Sequence, residues 1–151
     1  MLLPAKVETL KDNISYVTQF LGHIIENTFC DNADINRELK NLFGRANVLI
    51  CRFSSCSSQV KVRLFRSYCI CFYDIALWKH FHVTILDKLA SAYVKCLKLF
   101  FGFPKYCSVS STLIQLGLPS FNTLLHNAKV SFMNRFSRKT VTVVDAIRLS
   151  F

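Results

Sequence analysis

Apolar residues recur along most of this chain at the spacing of a helix, and only the first 30 residues break that rhythm. Ile35, Leu39, Leu42, Phe43, Ala46, Leu49, Ile50 and Phe53 fall three or four apart, which predicts a long amphipathic helix. Asp31 or Asn32 stands where an N-cap belongs, and Asp34 places a carboxylate in the first turn, where the helix dipole favours it. The run Ser54-Ser55-Cys56-Ser57-Ser58 breaks this helix and can cap the next. A second helix is predicted over Val60 to Trp78, burying Val60, Leu64, Tyr68, Cys71, Ile75 and Trp78 while Lys61, Arg63 and Arg66 sit off that stripe. A third runs from about Ile85 to Phe101, with Leu86, Leu89, Tyr93, Cys96, Leu97 and Phe100 inward and Lys88, Lys95 and Lys98 along another side. Gly102 and Pro104 stop it. A short helix over 108–116 ends at Gly117. Pro119-Ser120 then opens another, with Phe121, Leu124, Leu125, Ala128, Phe132 and Phe136 on its apolar side and Arg135, Arg138 and Lys139 at its end. Residues 140–151 fit helix or strand.

Upstream, residues 5–29 alternate loosely and carry β-branched and aromatic side chains, among them Val7, Ile14, Tyr16, Val17, Phe20, Ile24 and Ile25, with Asp12-Asn13 as a turn. Short strands are expected there. The predicted fold class is therefore mainly α, a helical unit preceded by a small N-terminal β element, with the boundary near residue 30 and 31–151 as one compact unit. A chain of 151 residues, 52% hydrophobic and containing 14 Phe, can bury a sizeable core.

Charge sharpens this picture. The chain carries 19 Lys and Arg against 9 Asp and Glu. Residues 1–38 hold six of the acids (Glu8, Asp12, Glu26, Asp31, Asp34, Glu38) and three of the bases, so the positive excess belongs to the helical part. That favours a polyanionic partner. The opening MLLPAKVETLKD lacks the apolar core of a secretory signal, and the uncharged stretch 106–128 contains Gly117, Pro119 and many polar side chains, so neither secretion nor a membrane span is expected. The expected setting is intracellular, nucleus or cytoplasm alike.

Catalytic and metal chemistry find little footing. The seven cysteines include no Cys-x-x-Cys pair, which predicts reduced, mostly buried thiols. His80 and His82 form a His-x-His pair expected on a loop surface, while His23 and His126 sit among apolar neighbours and are expected to be at least half-buried. After Glu38 the acids Asp74, Asp87 and Asp145 are isolated, and the four glycines are scattered, so no paired carboxylates and no phosphate loop occur. No catalytic residue, resident metal or cofactor is assigned. Most aromatics fall at core spacing; Phe65, Tyr68, Phe72, Tyr73, Tyr93 and Phe100 are read as packing residues.

Taken in order, FLGHII (Phe20 to Ile25), the bridge DNADI, NRELKNLFGRANVLICRF, VKVRLFRSYC, Leu77-Trp78, SAYVKCLKLFFGFPKYCSVSS and LPSFNTLLHNAKVSFMNRF form a series. The series resembles the C-terminal end of a non-LTR (LINE-type) retrotransposon reverse transcriptase. There a "YLG"-like segment closes the palm near the primer grip, and a helical thumb follows with "LF-SYC", "LW", "AYN", "G-PR-CS" and a late "F--L" element. The resemblance spans roughly residues 17–136. It departs at Val94, where the family often has Asn, and at Lys105, which replaces a frequent Arg and loses its planar fork. The family's palm aspartates, which bind two magnesium ions, have no counterpart in these residues, so the chain itself is not expected to be an enzyme. The resemblance implies a thumb-like bundle that grips an RNA/DNA duplex or RNA without sequence readout, against a palm supplied by another part of a polymerase. Phe20, Leu21, Gly22 and His23 resemble the primer-grip region. Lys61, Arg63, Arg66, Lys88, Lys95 and Lys98 are chosen for phosphate contacts on charge and helix face. The residues alone also fit a helical protein-interaction module, attachment to anionic membranes, or a decayed retroelement fragment without a selected role.

Overall fold

The computed structural model describes residues 17–20, 23–26, 30–72 and 75–148, with side chains for 23–25, 30–72 and 75–138. Two strands, β1 (Val17–Phe20) and β2 (His23–Glu26), pair antiparallel in register Val17 with Glu26 and Phe20 with His23. Five helices follow: α1 (Asn32–Phe53), α2 (Ser58–Tyr68), α3 (Val83–Phe101), α4 (Val109–Leu116) and α5 (Phe121–Arg148). The fold is mainly α with a small N-terminal β element, as the periodicity implies. The turn expected at Asp12-Asn13 lies outside the described residues. No described helix is long and apolar enough to cross a membrane.

The centre of the molecule is the packing of α1 against α3. From α1 come Ile35, Leu42, Ala46 and Leu49, all buried, and from α3 come Leu89, Ala92, Tyr93, Cys96, Leu97 and Phe100. α3 ends where its Gly102 adopts φ +75°, which lets the amide of Phe103 donate back to the Lys98 carbonyl at 2.9 Å. Gly117 does the same for α4 at φ +61°, with the Leu118 amide on the Leu113 carbonyl at 3.0 Å. α2 lies on this pair through one fully buried ring. Phe65 has its centroid 5.8 Å from that of Tyr93, 6.3 Å from Phe100 and 6.0 Å from Phe101. Burying such a ring contributes roughly 1.5–3 kcal/mol.

The second helix differs from its sequence expectation in length and in face. It stops at Tyr68, and Val60 and Tyr68, expected inside, are 44% and 50% exposed. The inward positions are Phe65 and Cys69, one residue on from the predicted stripe. Beyond Tyr68 the chain runs Cys-Ile-Cys-Phe-Tyr, a string of weak helix formers. Ile75 and Trp78 are buried from an irregular segment rather than from a helix.

That segment is held by the N-terminus of α1. Asp31 occupies the N-cap position without capping through its side chain. Its carboxylate instead accepts the amides of Lys79 at 2.8 Å and His80 at 3.0 Å, and the Asn32 side chain accepts the His82 amide at 2.9 Å. Asp34 is fully buried and accepts three hydrogen bonds: from the Trp78 indole Nε1 at 2.8 Å, the Arg37 Nε at 2.8 Å and the Ile24 amide at 3.1 Å. One carboxylate thereby joins β2, α1 and the segment before α3. Burial works to raise the Asp34 carboxyl, but the bonds from Arg37, Trp78 and Ile24, with His23 beside it, outweigh burial and hold it below its ordinary value of 3.8.

The far end of α5 also departs from expectation. Phe121 is buried against Phe72 and Tyr93, and Leu124, Leu125 and Ala128 are partly covered, but Phe132 and Phe136 are 39% and 60% exposed. The helix runs on to Arg148.

Candidate nucleic-acid interface

The six cations chosen from the sequence do not share one surface. Arg63 and Arg66 line a concavity of about 430 Å³ between α2 and α4, together with Ser58, Gln59, Val62, Gln115 and Leu116. Arg66 is pinned there, since its Nη2 donates to the Gly117 carbonyl at the end of α4. Arg63 is exposed. Lys88 and Lys95 line a second concavity of about 410 Å³ along α1 and α3, with Leu39 and Phe43 beneath them and Asp87 beside them. They stand seven residues apart on α3, two turns or about 10 Å along the axis, with Ser91 between them. Lys95 and Ser91 continue into a third hollow of about 430 Å³, shared with Val94, Lys98, Leu99, Phe103 and Lys105.

Two of the four lysines have structural duties. Lys98 directs its ammonium onto the carbonyls of Lys105, at 3.0 Å, and Cys107, so it ties the loop after α3 to the helix. Lys61 is half-buried, its Nζ 5.6 Å from the centre of the Phe100 ring. Lys95 also sits over an aromatic ring, Phe43 at 6.0 Å, but both partners remain exposed.

Among the primer-grip-like residues, Phe20 ends β1, and Leu21 and Gly22 lie outside the described residues. His23 is half-buried on β2, with Nδ1 3.0 Å from Asp34 Oδ2. It belongs to the Asp34 junction rather than to either cationic surface.

Two acids are withdrawn from the surface by internal pairing. Asp34 and Glu38 are 0% and 6% exposed and face inward. Arg37 bridges both, 2.8 Å from Asp34 and 3.1 Å from Glu38, and Arg45 reaches Glu38 at 2.9 Å. Among the described residues these ion pairs stay on α1 and β2 and involve none of Arg63, Lys88 or Lys95. Asp34 and Glu38 are therefore spent internally, together with the arginines that pair with them.

Sequence reasoning assigned no contact role to Lys105 and Tyr106. Both are exposed on the loop after α3, Tyr106 to 92%, with the Lys105 ammonium 5.8 Å from the Tyr106 ring centre. The Gly-Phe-Pro-Lys-Tyr run marks a turn, and turns place such side chains outward. Phe43 was misplaced for the opposite reason, because helical spacing alone assigns it to the core.

No protein-family model matches this chain, and neither a curated protein nor a solved structure matches it. The interface therefore stands on its own geometry.

Metal chemistry has no cluster to work with: among the described residues no group of three or more His, Cys, Asp or Glu could hold an ion. The thiols are more varied than expected. Cys69 and Cys96 are buried, Cys51 is exposed, and Cys30, Cys56, Cys71 and Cys107 are half-buried. Burial, reinforced by Cys96, pushes the Cys69 thiol up to about 12, and burial pushes Cys96 to about 11. Neither would be a nucleophile at neutral pH. His80, His82 and also His126 are exposed, so the apolar neighbours of His126 in sequence do not surround it in space.

Proposed function

We propose that this chain is the thumb portion of a LINE-type reverse transcriptase, gripping an RNA/DNA duplex through its phosphates and leaving polymerisation to a palm outside these residues. The observation that carries the reading is the pair of cationic surfaces on α2/α4 and α3, set on a rigid aromatic core while Asp34 and Glu38 are buried in internal pairs. Lysines two turns apart on one helix face suit a phosphate backbone, which is read by charge and shape rather than by base edges. The order of motifs from Phe20-Leu21-Gly22 to Phe121 supports the family assignment. Within that assignment Arg63, Lys88 and Lys95 are the phosphate contacts, Arg66 is held ready beside Arg63, and Lys61 and Lys98 shape the surface.

Binding of an RNA/DNA hybrid, measured across a salt series, tests this. The affinity should fall steeply with salt, each lost phosphate contact reducing the log–log slope by about 0.9. The triple variant Arg63→Glu, Lys88→Glu, Lys95→Glu should flatten it by two to three such steps. Affinity indifferent to both salt and the triple variant would overturn the proposal.

A further inference from the structure

The loop after α3 folds back on its own helix and leaves the hollow of about 430 Å³ in which apolar Val94, Leu99 and Phe103 meet the exposed lysines Lys95 and Lys105. Its wall is built in advance. Gly102 turns the chain at φ +75°, the Phe103 amide donates to the Lys98 carbonyl at 2.9 Å, and the Lys98 ammonium donates to the carbonyls of Lys105, at 3.0 Å, and Cys107. A surface held this way loses little freedom when a partner settles on it. Leu99 is 57% exposed here, while Leu97 and Phe100 beside it on α3 are 1% and 3% exposed. It offers an apolar anchor that the core does not use.

Charge and shape narrow what fits. From Lys88 to Arg138 the chain contains no Asp or Glu, so nothing along that stretch neutralises Lys95 and Lys105. A second copy docked face to face would set these lysines against their own equivalents, which is repulsive. A nucleic-acid strand needs flat faces and hydrogen-bonding groups for its bases, whereas Val94 and Leu99 are aliphatic. A peptide with a bulky apolar side chain between carboxylates supplies both halves: the side chain for the hollow, the carboxylates for the two ammonium groups.

We infer that the hollow between α3 and the loop after it is a docking site for an acidic peptide segment of a partner protein, anchored by one Leu, Phe or Trp side chain against Val94, Leu99 and Phe103. This goes beyond the duplex grip and does not rest on it. Lys95 is common to both surfaces, so Leu99 and Lys105, which the duplex grip does not use, carry the test.

The probe is a pool of short fluorescein-labelled peptides with Leu, Phe or Trp at the centre and Asp or Glu on either side; a second pool has Ala at the centre. Anisotropy at low salt should show saturable binding of the first pool by the full chain, at least roughly fivefold tighter than the second. Leu99→Ser, at an exposed position, should weaken binding of the first pool roughly fivefold, and so should Lys105→Glu. Leu99→Ser should leave hybrid-duplex affinity unchanged. Amide shifts of the isotope-labelled chain on adding the first pool should cluster between Ser91 and Lys105. The inference is overturned by absent saturation, by equal binding of the Ala-centred pool, by amide shifts that cluster beside Arg63 instead, or by oligouridylate or phosphatidylserine vesicles binding this surface as tightly as the peptides and losing affinity with Leu99→Ser.

Discussion

Replacing Asp34 with alanine should cost this protein a large share of its stability, because one carboxylate serves three separate parts of the chain. The substitution strands the Trp78 indole N–H and the Ile24 amide, and takes the Asp34 carboxylate from Arg37 while Glu38 stays beside it. A buried donor without an acceptor costs about 1–3 kcal/mol, and breaking a buried ion pair from one side costs about 3–5 kcal/mol. These overlap, so we expect a loss of about 3–5 kcal/mol, against a total that for a domain of this kind is about 5–15 kcal/mol. At this size each kcal/mol lowers the midpoint by roughly 2–4 °C, so melting should fall by roughly 6–20 °C. Urea unfolding followed by far-ultraviolet circular dichroism measures the loss, and the emission of Trp78 reports its indole environment in the same experiment. Asp34→Asn keeps the volume and one acceptor oxygen, so its loss should be smaller than that of Asp34→Ala. A double-mutant cycle with Trp78→Phe should show a coupling of about 1–3 kcal/mol. If Asp34→Ala costs no more than an exposed substitution, about 0.5 kcal/mol, or if its effect adds simply to that of Trp78→Phe, the junction is not what holds the hairpin and the Trp78 segment to α1.

Acid should weaken the fold through the same group. The folded Asp34 carboxyl titrates below its ordinary 3.8, so its contribution is complete above that value and is lost as pH falls through the lower, folded one. Urea midpoints taken from pH 7 down to 2 should drop more steeply for the native chain than for Asp34→Asn; parallel curves would refute this. On α2, Phe65→Ala should cost about 3–5 kcal/mol and Tyr68→Ala within about 1 kcal/mol, by thermal melting, and the reverse ranking would restore the stripe read from the sequence. Thiol labelling at pH 8 should modify Cys51 promptly and reach Cys69 and Cys96 only on unfolding, given that both are buried and held near 12 and 11. Mass mapping of the labelled sites decides it.

The sequence by itself determined where the helices are and where most of them stop. Ile35 to Phe53 and Leu89 to Phe100 repeat their apolar residues at helical spacing, and Gly102 and Gly117 supply the left-handed residues that end α3 and α4. The concentration of positive charge after Glu38 was equally legible. The tertiary structure alone decided the rest, and the reason is that periodicity and charge are properties of neighbours along the chain. Whether Lys98 meets solvent or the Cys107 carbonyl depends on the path of the loop after α3. Val60 to Trp78 reads as one helix until Asp31, Asn32 and Asp34, 44 or more residues upstream of the groups they bind, take the indole at its far end and the amides just past it. Phe121 and Phe136 carry the same letter on the same stripe, yet the first is 5% exposed and the second 60%. Local pattern specifies which face of a helix is apolar; only the packed chain specifies how far along the helix that face is buried.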